Sequence, residues 1–115
     1  PRTVLRLHPD IAPMTVAVLP LSRNEKLSPT AQRVFDMVKI EQTTQYDDTQ
    51  SIGRRYRRQD EAGTPLCVTV DFDTIDDDSV TIRNRDSMKQ IRVPIENLEA
   101  AISDQIDAMR DDISG

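Results

Sequence analysis

The sequence has little of several residue types on which common protein sites depend. It contains one cysteine, Cys67, and one histidine, His8, among 115 residues. A single cysteine excludes an internal disulfide and a cysteine-rich zinc site, and it suits a reducing compartment. No apolar run approaches the length of a membrane span, and the first residues lack the apolar core of a signal peptide. The composition therefore predicts a soluble, cytoplasmic protein that does not contact a membrane.

Aromatic residues and glycines are also scarce. Aromatics make up 3% of the chain and tryptophan is absent, so a nucleic-acid site could not rest mainly on aromatic stacking. The three glycines, Gly53, Gly63 and Gly115, do not have the spacing of a phosphate-binding loop or a dinucleotide fingerprint. His8 precedes a proline and is far in sequence from any nucleophile that it could activate. The sequence therefore predicts no catalytic residue and no bound cofactor.

What the chain does have is a local concentration of positive charge. Arg54, Arg55, Arg57 and Arg58 are four arginines within five positions, and removing their charges from the net charge of −5 leaves −9 on the remainder. A positive patch on an otherwise acidic protein indicates a selected anionic partner. The alternative is a charge ladder on a helix, because Arg57 and Glu61 have the i, i+4 spacing of an intrahelical ion pair.

The apolar pattern predicts one domain of alternating strands and helices. The predicted elements are a strand from Thr15 buried on two faces, a helix from the N-cap Ser28 to about residue 39, a strand at 43–46, a helix at 52–62 between Ser51 and Gly63, a half-polar strand at 66–72, strands near 80–84 and 89–93, and a helix after Pro94. The helix between the first two strands makes a β-α-β crossover, so these strands are predicted to be parallel. Residues 3–7 are predicted to form a strand-like piece, followed by a linker to residue 14.

Two polar segments of the second half invite functional interpretations. Thr81, Arg83 and Arg85 alternate on one side of a predicted strand and Arg92 continues this face, which suits an anionic ligand or a base edge. The alternative is cross-strand ion pairing with Asp71 or Asp73. The aspartate-rich segment 71–78 has the composition of a calcium loop but lacks the required glycine and closing glutamate, so a metal site is not predicted. The last helix repeats apolar residues at steps of three and four, which predicts a buried stripe of Ile95, Leu98, Ile102, Ile106, Met109 and Ile113.

Several segments together resemble the C-terminal region of the homodimeric, class II glycyl-tRNA synthetases. They are LHPDIAPMTVAVLPL at 7–21, SIGRRYRRQDEAGTP at 51–65, LCVTVDFDT at 66–74 and VTIRNRDSMKQIRV at 80–93. The run GRRYRRQDE followed by GTP is the most specific of these motifs. The resemblance extends over about residues 3–93.

The resemblance implies both a fold and a function. The fold is α/β, a three-layer α/β/α sandwich with a five-stranded mixed sheet, as in the anticodon-binding domain of class II synthetases. Residues 1–14 would be a linker and the end of a catalytic domain, and residues 15–115 the anticodon-binding domain. The parent enzyme would be a homodimer that attaches glycine to tRNA(Gly) using ATP and magnesium. The fragment itself would bind the tRNA anticodon loop, not DNA, without catalytic residues or cofactors.

The resemblance and the chemistry of cytosine together suggest roles for particular residues. Glycine anticodons present two cytosines, whose amino group needs an acceptor beside a cationic donor. The predicted tRNA-binding residues are Arg83 and Arg85, which reach bases or the loop backbone, Arg54, Arg57 and Arg58, which neutralise phosphates, and the acceptors Asp60 and Glu61. Two alternatives remain at this point: a protein-interaction or dimerisation domain on the same scaffold, and a small nucleotide-dependent enzyme.

Overall fold

The computed structural model describes residues 15–49 and 51–114, with side chains as far as Met109. The elements in chain order are β1 (Val16–Pro20), α1 (Ser28–Val38), β2 (Thr44–Tyr46), α2 (Ile52–Ala62), β3 (Leu66–Val70), α3 (Phe72–Asp77), β4 (Ser79–Asn84), β5 (Gln90–Pro94), a 3₁₀ turn (Ile95–Asn97) and α4 (Leu98–Ser114). The predictions for residues 1–14 and for the side chain of Ile113 fall outside the described residues.

The strands form a five-stranded mixed sheet in the order β2-β1-β3-β4-β5. β1 pairs in parallel with both β2 and β3, whereas β4 pairs antiparallel with β3 and with β5. The parallel pairing predicted from the β-α-β crossover is therefore confirmed. All five residues of β1 are buried, which confirms the predicted strand covered on two faces.

Helices cover both faces of the sheet, which confirms the predicted three-layer sandwich. α1 and α4 pack against one face, and the main core lies between them and the sheet. Its buried members from the sheet include Val16, Val18, Leu66, Val68 and Ile82, and those from the helices include Val34, Leu98, Ile102, Ile106 and Met109. On the opposite face, Ile52 and Tyr56 of α2 pack against Ala17, Leu19 and Cys67. The helix with the arginines, α2, therefore lies on the side of the sheet opposite to α1 and α4.

Two predictions around β3 are wrong. The strand is buried on both faces instead of being half-polar, because α2 covers the face that carries Cys67 and Thr69. The strand also ends before Phe72, which begins α3. Asp71 caps this helix: its carboxylate accepts a hydrogen bond from the Thr74 amide at 3.0 Å, and the Thr74 hydroxyl accepts one from the Asp71 amide at 3.1 Å. Because of this reciprocal capping box, a helix forms where the sequence indicated an acidic loop.

The predicted helix caps have different outcomes. The prediction that Ser28 is the N-cap of α1 is wrong, because Leu27 already has helical dihedral angles and Ser28 lies inside the helix. The Ser28 hydroxyl donates to the Asn24 carbonyl at 3.4 Å instead of capping. The α2 prediction is confirmed at both ends: the Ser51 hydroxyl accepts from the Arg54 amide at 3.3 Å, and Gly63 adopts the left-handed conformation with φ of 82°. Glycine adopts that conformation readily because it has no β-carbon.

Candidate functional site

The two sides of α2 have different chemistry. Arg55, Gln59 and Asp60 are buried against the sheet. On the opposite side, four charged residues line an open depression at the surface: Arg54, Arg57, Arg58 and Glu61. Their spacings of three and four residues place them along one line of the helix. We call these four residues the outer stripe.

Arg55 belongs to the inner side of α2 and does not contribute to the cationic surface. Its side chain is only 1% exposed. The guanidinium donates hydrogen bonds to three backbone carbonyls, those of Pro20, Leu21 and Asp47. Burial lowers the pKa of Arg55, although the charges of Asp47 and Asp48 oppose this shift. Arg55 therefore connects α2 to the end of β1 and to the segment that follows β2. The surface patch contains three of the four clustered arginines.

Asp60 and Arg83 form an ion pair between α2 and β4. The two guanidinium nitrogens of Arg83 lie 2.9 and 3.1 Å from the two carboxylate oxygens of Asp60. Arg83 is 8% exposed and Asp60 is 2% exposed. The hydrogen bond to Asp60 raises the pKa of Arg83 above its usual value, and the guanidinium also lies 4.8 Å from the centre of the Tyr56 ring. This bidentate, almost dry geometry is that of a strong charge-assisted pair.

Arg85 occupies a similarly enclosed position at the end of α2. It is 2% exposed, and it donates to the Gly63 carbonyl and to the Asp86 carboxylate, the latter at 2.9 Å. The two predicted base readers, Arg83 and Arg85, therefore lie behind α2 in internal contacts. For either of them to reach RNA, these contacts would have to be exchanged. Their direct contact with bases remains a prediction.

The segment after β2 positions one arginine of the outer stripe. Arg58 has its Nε 3.4 Å from a carboxylate oxygen of the buried Asp47, and it donates to the hydroxyl and the carbonyl of Thr49 at 3.0 and 3.2 Å. Gln59 also donates to Asp47, at 3.3 Å. Asp47 and Thr49 were not among the predicted site residues. The sequence did contain a signal for them, because both lie in a polar segment directly after a predicted parallel strand. Ligands often bind at the edge of a sheet where parallel strands end.

The other members of the outer stripe are not paired. Among the described residues, no ion pair is formed by Arg54, Arg57 or Glu61, although Arg57 and Glu61 are one helical turn apart. Other surface charges do pair, such as Arg33 with Asp78 at 2.7 Å and Lys39 with Asp36 at 3.2 Å. The charge-ladder interpretation of the arginine run is therefore wrong for this conformation. Two guanidinium groups and one carboxylate are left available to a ligand.

The order of charges along the outer stripe also opposes the helix dipole. α2 has no acidic residue in its first turn and no basic residue in its last. Arg54 instead lies near the positive N-terminal end, and Glu61 lies near the negative C-terminal end. Each such placement disfavours a helix by about 0.3 to 1 kcal/mol. Residues that lower the stability of their own helix are expected where the surface serves a ligand.

The polar face of β4 and β5 is satisfied internally. Arg92 of β5 donates to the two carboxylate oxygens of Asp71 at 2.9 and 3.2 Å and to the Thr81 hydroxyl at 3.1 Å. It also contacts Asp77 at 3.2 Å. The alternative of cross-strand ion pairing is therefore confirmed for Asp71. The aspartates Asp71 and Asp77 neutralise a cation, and no group of residues that could hold a metal ion occurs in the described part of the chain.

The single cysteine is a packing residue in this structure. Cys67 lies on β3 under α2 and is 2% exposed. Burial raises the pKa of its thiol to about 12. Only a negligible fraction is thiolate at neutral pH, so nucleophilic chemistry at this position is not supported. In the described ranges, 15–49 and 51–114, no helix is both long and apolar enough to cross a membrane.

Comparison with known families identifies the kind of domain to which this surface belongs. Residues 15–105 match the profile of the family described as "Anticodon binding domain". The chain belongs to this family. The match extends over all five strands and the first half of α4, and it agrees with the fold and the family that the sequence predicted. The outer stripe of α2 is therefore a surface of an anticodon-binding domain.

Solved structures support the same fold. Two crystal structures of prolyl-tRNA synthetase from Cryptosporidium parvum, one with halofuginone and AMPPNP and one with L-proline and AMP, superpose with TM-scores of 0.86 and 0.88. The sequences are 24% identical in both cases. The aligned regions cover 93% and 94% of this chain, and 23% and 25% of the synthetase chains. At this identity the likeness concerns the fold alone.

The sequence itself is more similar to another group of proteins. It is 54% identical over 105 residues to a glycine-tRNA ligase of Streptomyces coelicolor and 56% identical over 105 residues to that of Clostridium acetobutylicum. The aligned region covers 91% of this anticodon-binding domain in both comparisons. It covers 23% and 22% of the two relatives, so the chain spans about a quarter of their length.

Proposed function

We propose that the chain is the anticodon-binding domain of a glycine-tRNA ligase and that the outer stripe contacts the anticodon loop of tRNA(Gly). The identities above 50% to ligases of this specificity support the choice of tRNA. The observation that supports the choice of surface is the pair of exposed arginines, Arg54 and Arg57, that form no ion pair with the described residues. The dimerisation alternative is not favoured by the family match.

The outer stripe suits a single-stranded RNA loop. Arg54 and Arg57 supply free guanidinium groups for phosphates, and Arg58 is oriented by Asp47 and Thr49 before any ligand binds. A preoriented side chain loses less conformational freedom on binding. The acidic remainder of the domain repels RNA elsewhere and directs it to this patch. An anticodon loop presents unpaired bases, which double-stranded DNA does not.

The buried arginines have a supporting role in this proposal. Arg83, through Asp60, fixes the C-terminal half of α2 against β4, and Arg85 fixes the Gly63 turn. Both act on the RNA through the position of the outer stripe. Direct base contact by either would follow only after its internal partner is released.

The parent enzyme in this proposal is a cytoplasmic homodimer that joins glycine to tRNA using ATP and magnesium. The anticodon-binding domain contributes affinity and selectivity for the tRNA. Among the described residues, the thiol of Cys67 is protonated and no group of side chains could hold a metal ion.

A binding titration with an anticodon stem-loop tests the proposed function. Glycine codons begin with two guanines, so the cognate loop carries two adjacent cytosines, and the control is the same stem with a scrambled loop. We expect tighter binding to the cognate loop. Three phosphate contacts to a single strand would give a slope of about −2 for the logarithm of the association constant against the logarithm of salt concentration. Equal affinity for both loops, or no response to salt, would contradict the proposal.

A further inference from the structure

We propose that Glu61 is the residue of the outer stripe that determines base specificity, and that its carboxylate accepts a hydrogen bond from the amino group of an unpaired cytosine. This inference rests on the proposed function and adds to it the identity of the base-reading group. It assigns different tasks to neighbouring residues of one helix. The arginines bind the RNA backbone, and Glu61 distinguishes one base from another.

The first argument is that a carboxylate in this depression does not help to bind phosphate. Glu61 is exposed and lies one helical turn after Arg57 and Arg58. A carboxylate beside these guanidinium groups would repel the phosphates that they attract. It would have a structural purpose if it paired with Arg57, but no such pair is present among the described side chains. Its position near the negative end of the helix dipole is also unfavourable.

The second argument is that the other nearby carboxylates are already occupied. Asp60, the other predicted acceptor, is 2% exposed and holds Arg83 through both oxygens. Asp47 is 4% exposed and accepts from Gln59 while pairing with Arg58. Of the residues that line the depression, Glu61 is the one acidic group. It is the carboxylate that a ligand in the depression would meet.

The chemistry of the bases then gives the direction of selectivity. Cytosine offers an amino donor at N4, and a carboxylate is an acceptor that matches this donor. Uracil has a carbonyl oxygen in place of the amino group, and this oxygen would face the Glu61 carboxylate without a proton between them. Adenine also presents an amino donor but is larger, and guanine presents its amino group at a different place. The contact therefore favours cytosine over uracil most directly.

Glu61→Gln is the variant that separates base reading from charge. The side chain keeps its size, but its amide can donate to uracil as well as accept from cytosine. We would titrate the wild-type and variant chains with stem-loops that carry cytosine, uracil, adenine or guanine at each of the two anticodon positions. Glu99→Gln is the matched control, because Glu99 is exposed on α4 in the opposite layer and undergoes the same change of charge.

We expect the wild type and Glu99→Gln to prefer cytosine over uracil by about tenfold at one of the two positions, as for a good base-edge contact. In Glu61→Gln this preference should fall below about threefold, because the amide can donate to uracil as well as accept from cytosine. If Glu61→Gln strengthened binding to all loops equally and kept the preference, Glu61 would be only a repelling charge and the inference would be wrong. If the wild type bound none of the stem-loops, the proposed function itself would fail.

Discussion

Replacing Asp60 by alanine should lower the free energy of unfolding by about 3 to 5 kcal/mol. The change leaves the guanidinium of Arg83 almost fully buried between α2 and β4 without its bidentate partner, and an uncompensated buried charge is strongly destabilising. The remaining contacts of Arg83, with the Tyr56 ring and the Met88 sulfur at 3.5 Å, do not neutralise its charge. Urea unfolding followed by circular dichroism measures the effect.

Two further variants show whether the loss of stability comes from the unpaired buried charge of Arg83 or from the removal of any carboxylate. Asp76→Ala removes an exposed carboxylate from α3 and should change stability by less than about 0.5 kcal/mol. The double variant Asp60→Leu with Arg83→Met replaces the ion pair by apolar side chains and should recover most of the loss, because the buried charge is gone. An Asp60→Ala protein as stable as the wild type would contradict the structural role given to this pair.

Reversing the charge of Arg54 should weaken binding of the anticodon stem-loop by about 50-fold at 50 mM salt. For single strands, each neutralised phosphate contributes about 0.7 to the salt slope, which corresponds to roughly eightfold in affinity between 50 mM and 1 M salt. Arg54→Glu changes the charge of the outer stripe by two units, so the factor is roughly squared. The loss should shrink as salt is added, because the interaction is electrostatic.

The same variant should stabilise the folded domain. A glutamate at position 54 lies in the first turn of α2 and one turn before Arg58, so both the helix dipole and the i, i+4 pairing become favourable. Together these changes are worth about 0.5 to 1.5 kcal/mol. Lys26→Glu is the control, since Lys26 is exposed in the turn before α1 and undergoes an identical change of charge. If Lys26→Glu weakened RNA binding as much as Arg54→Glu, general charge and not the outer stripe would explain the affinity.

The sequence predicted the elements whose signals are local. α2 has its predicted bounds because Ser51 and Gly63 are caps that act within a few residues of themselves. The buried stripe of α4 follows directly from a spacing of three and four, and all of its described members are buried. The end of β3 was missed, since alternation from Leu66 to Phe72 continued past the strand. The capping box of Asp71 and Thr74 ended the strand there, and this signal was present in the sequence.

The candidate site was predicted less completely because it depends on which helix covers which face of the sheet. Arg55 could have been placed inside from sequence, as it lies three residues after Ile52 and four before Gln59, on the packed side of α2. The burial of Arg83 could not have been predicted from the sequence. Its alternation on β4 identifies a face but not the helix above that face, and Asp60 meets it only through the tertiary packing of α2. Among the described residues, the absence of ion pairs at Arg54, Arg57 and Glu61 could not be predicted either, because the i, i+4 spacing favoured a pair between Arg57 and Glu61.

The most direct test of the outer stripe as the RNA-binding surface is the mapping of amide chemical-shift changes in the isotopically labelled chain when the cognate anticodon stem-loop is added. The account predicts that the largest changes occur along α2, at residues 54–61, and in the adjoining segment after β2 at Asp47 and Thr49. Changes confined to α4 or to the free edge of β5, with α2 unaffected, would contradict it.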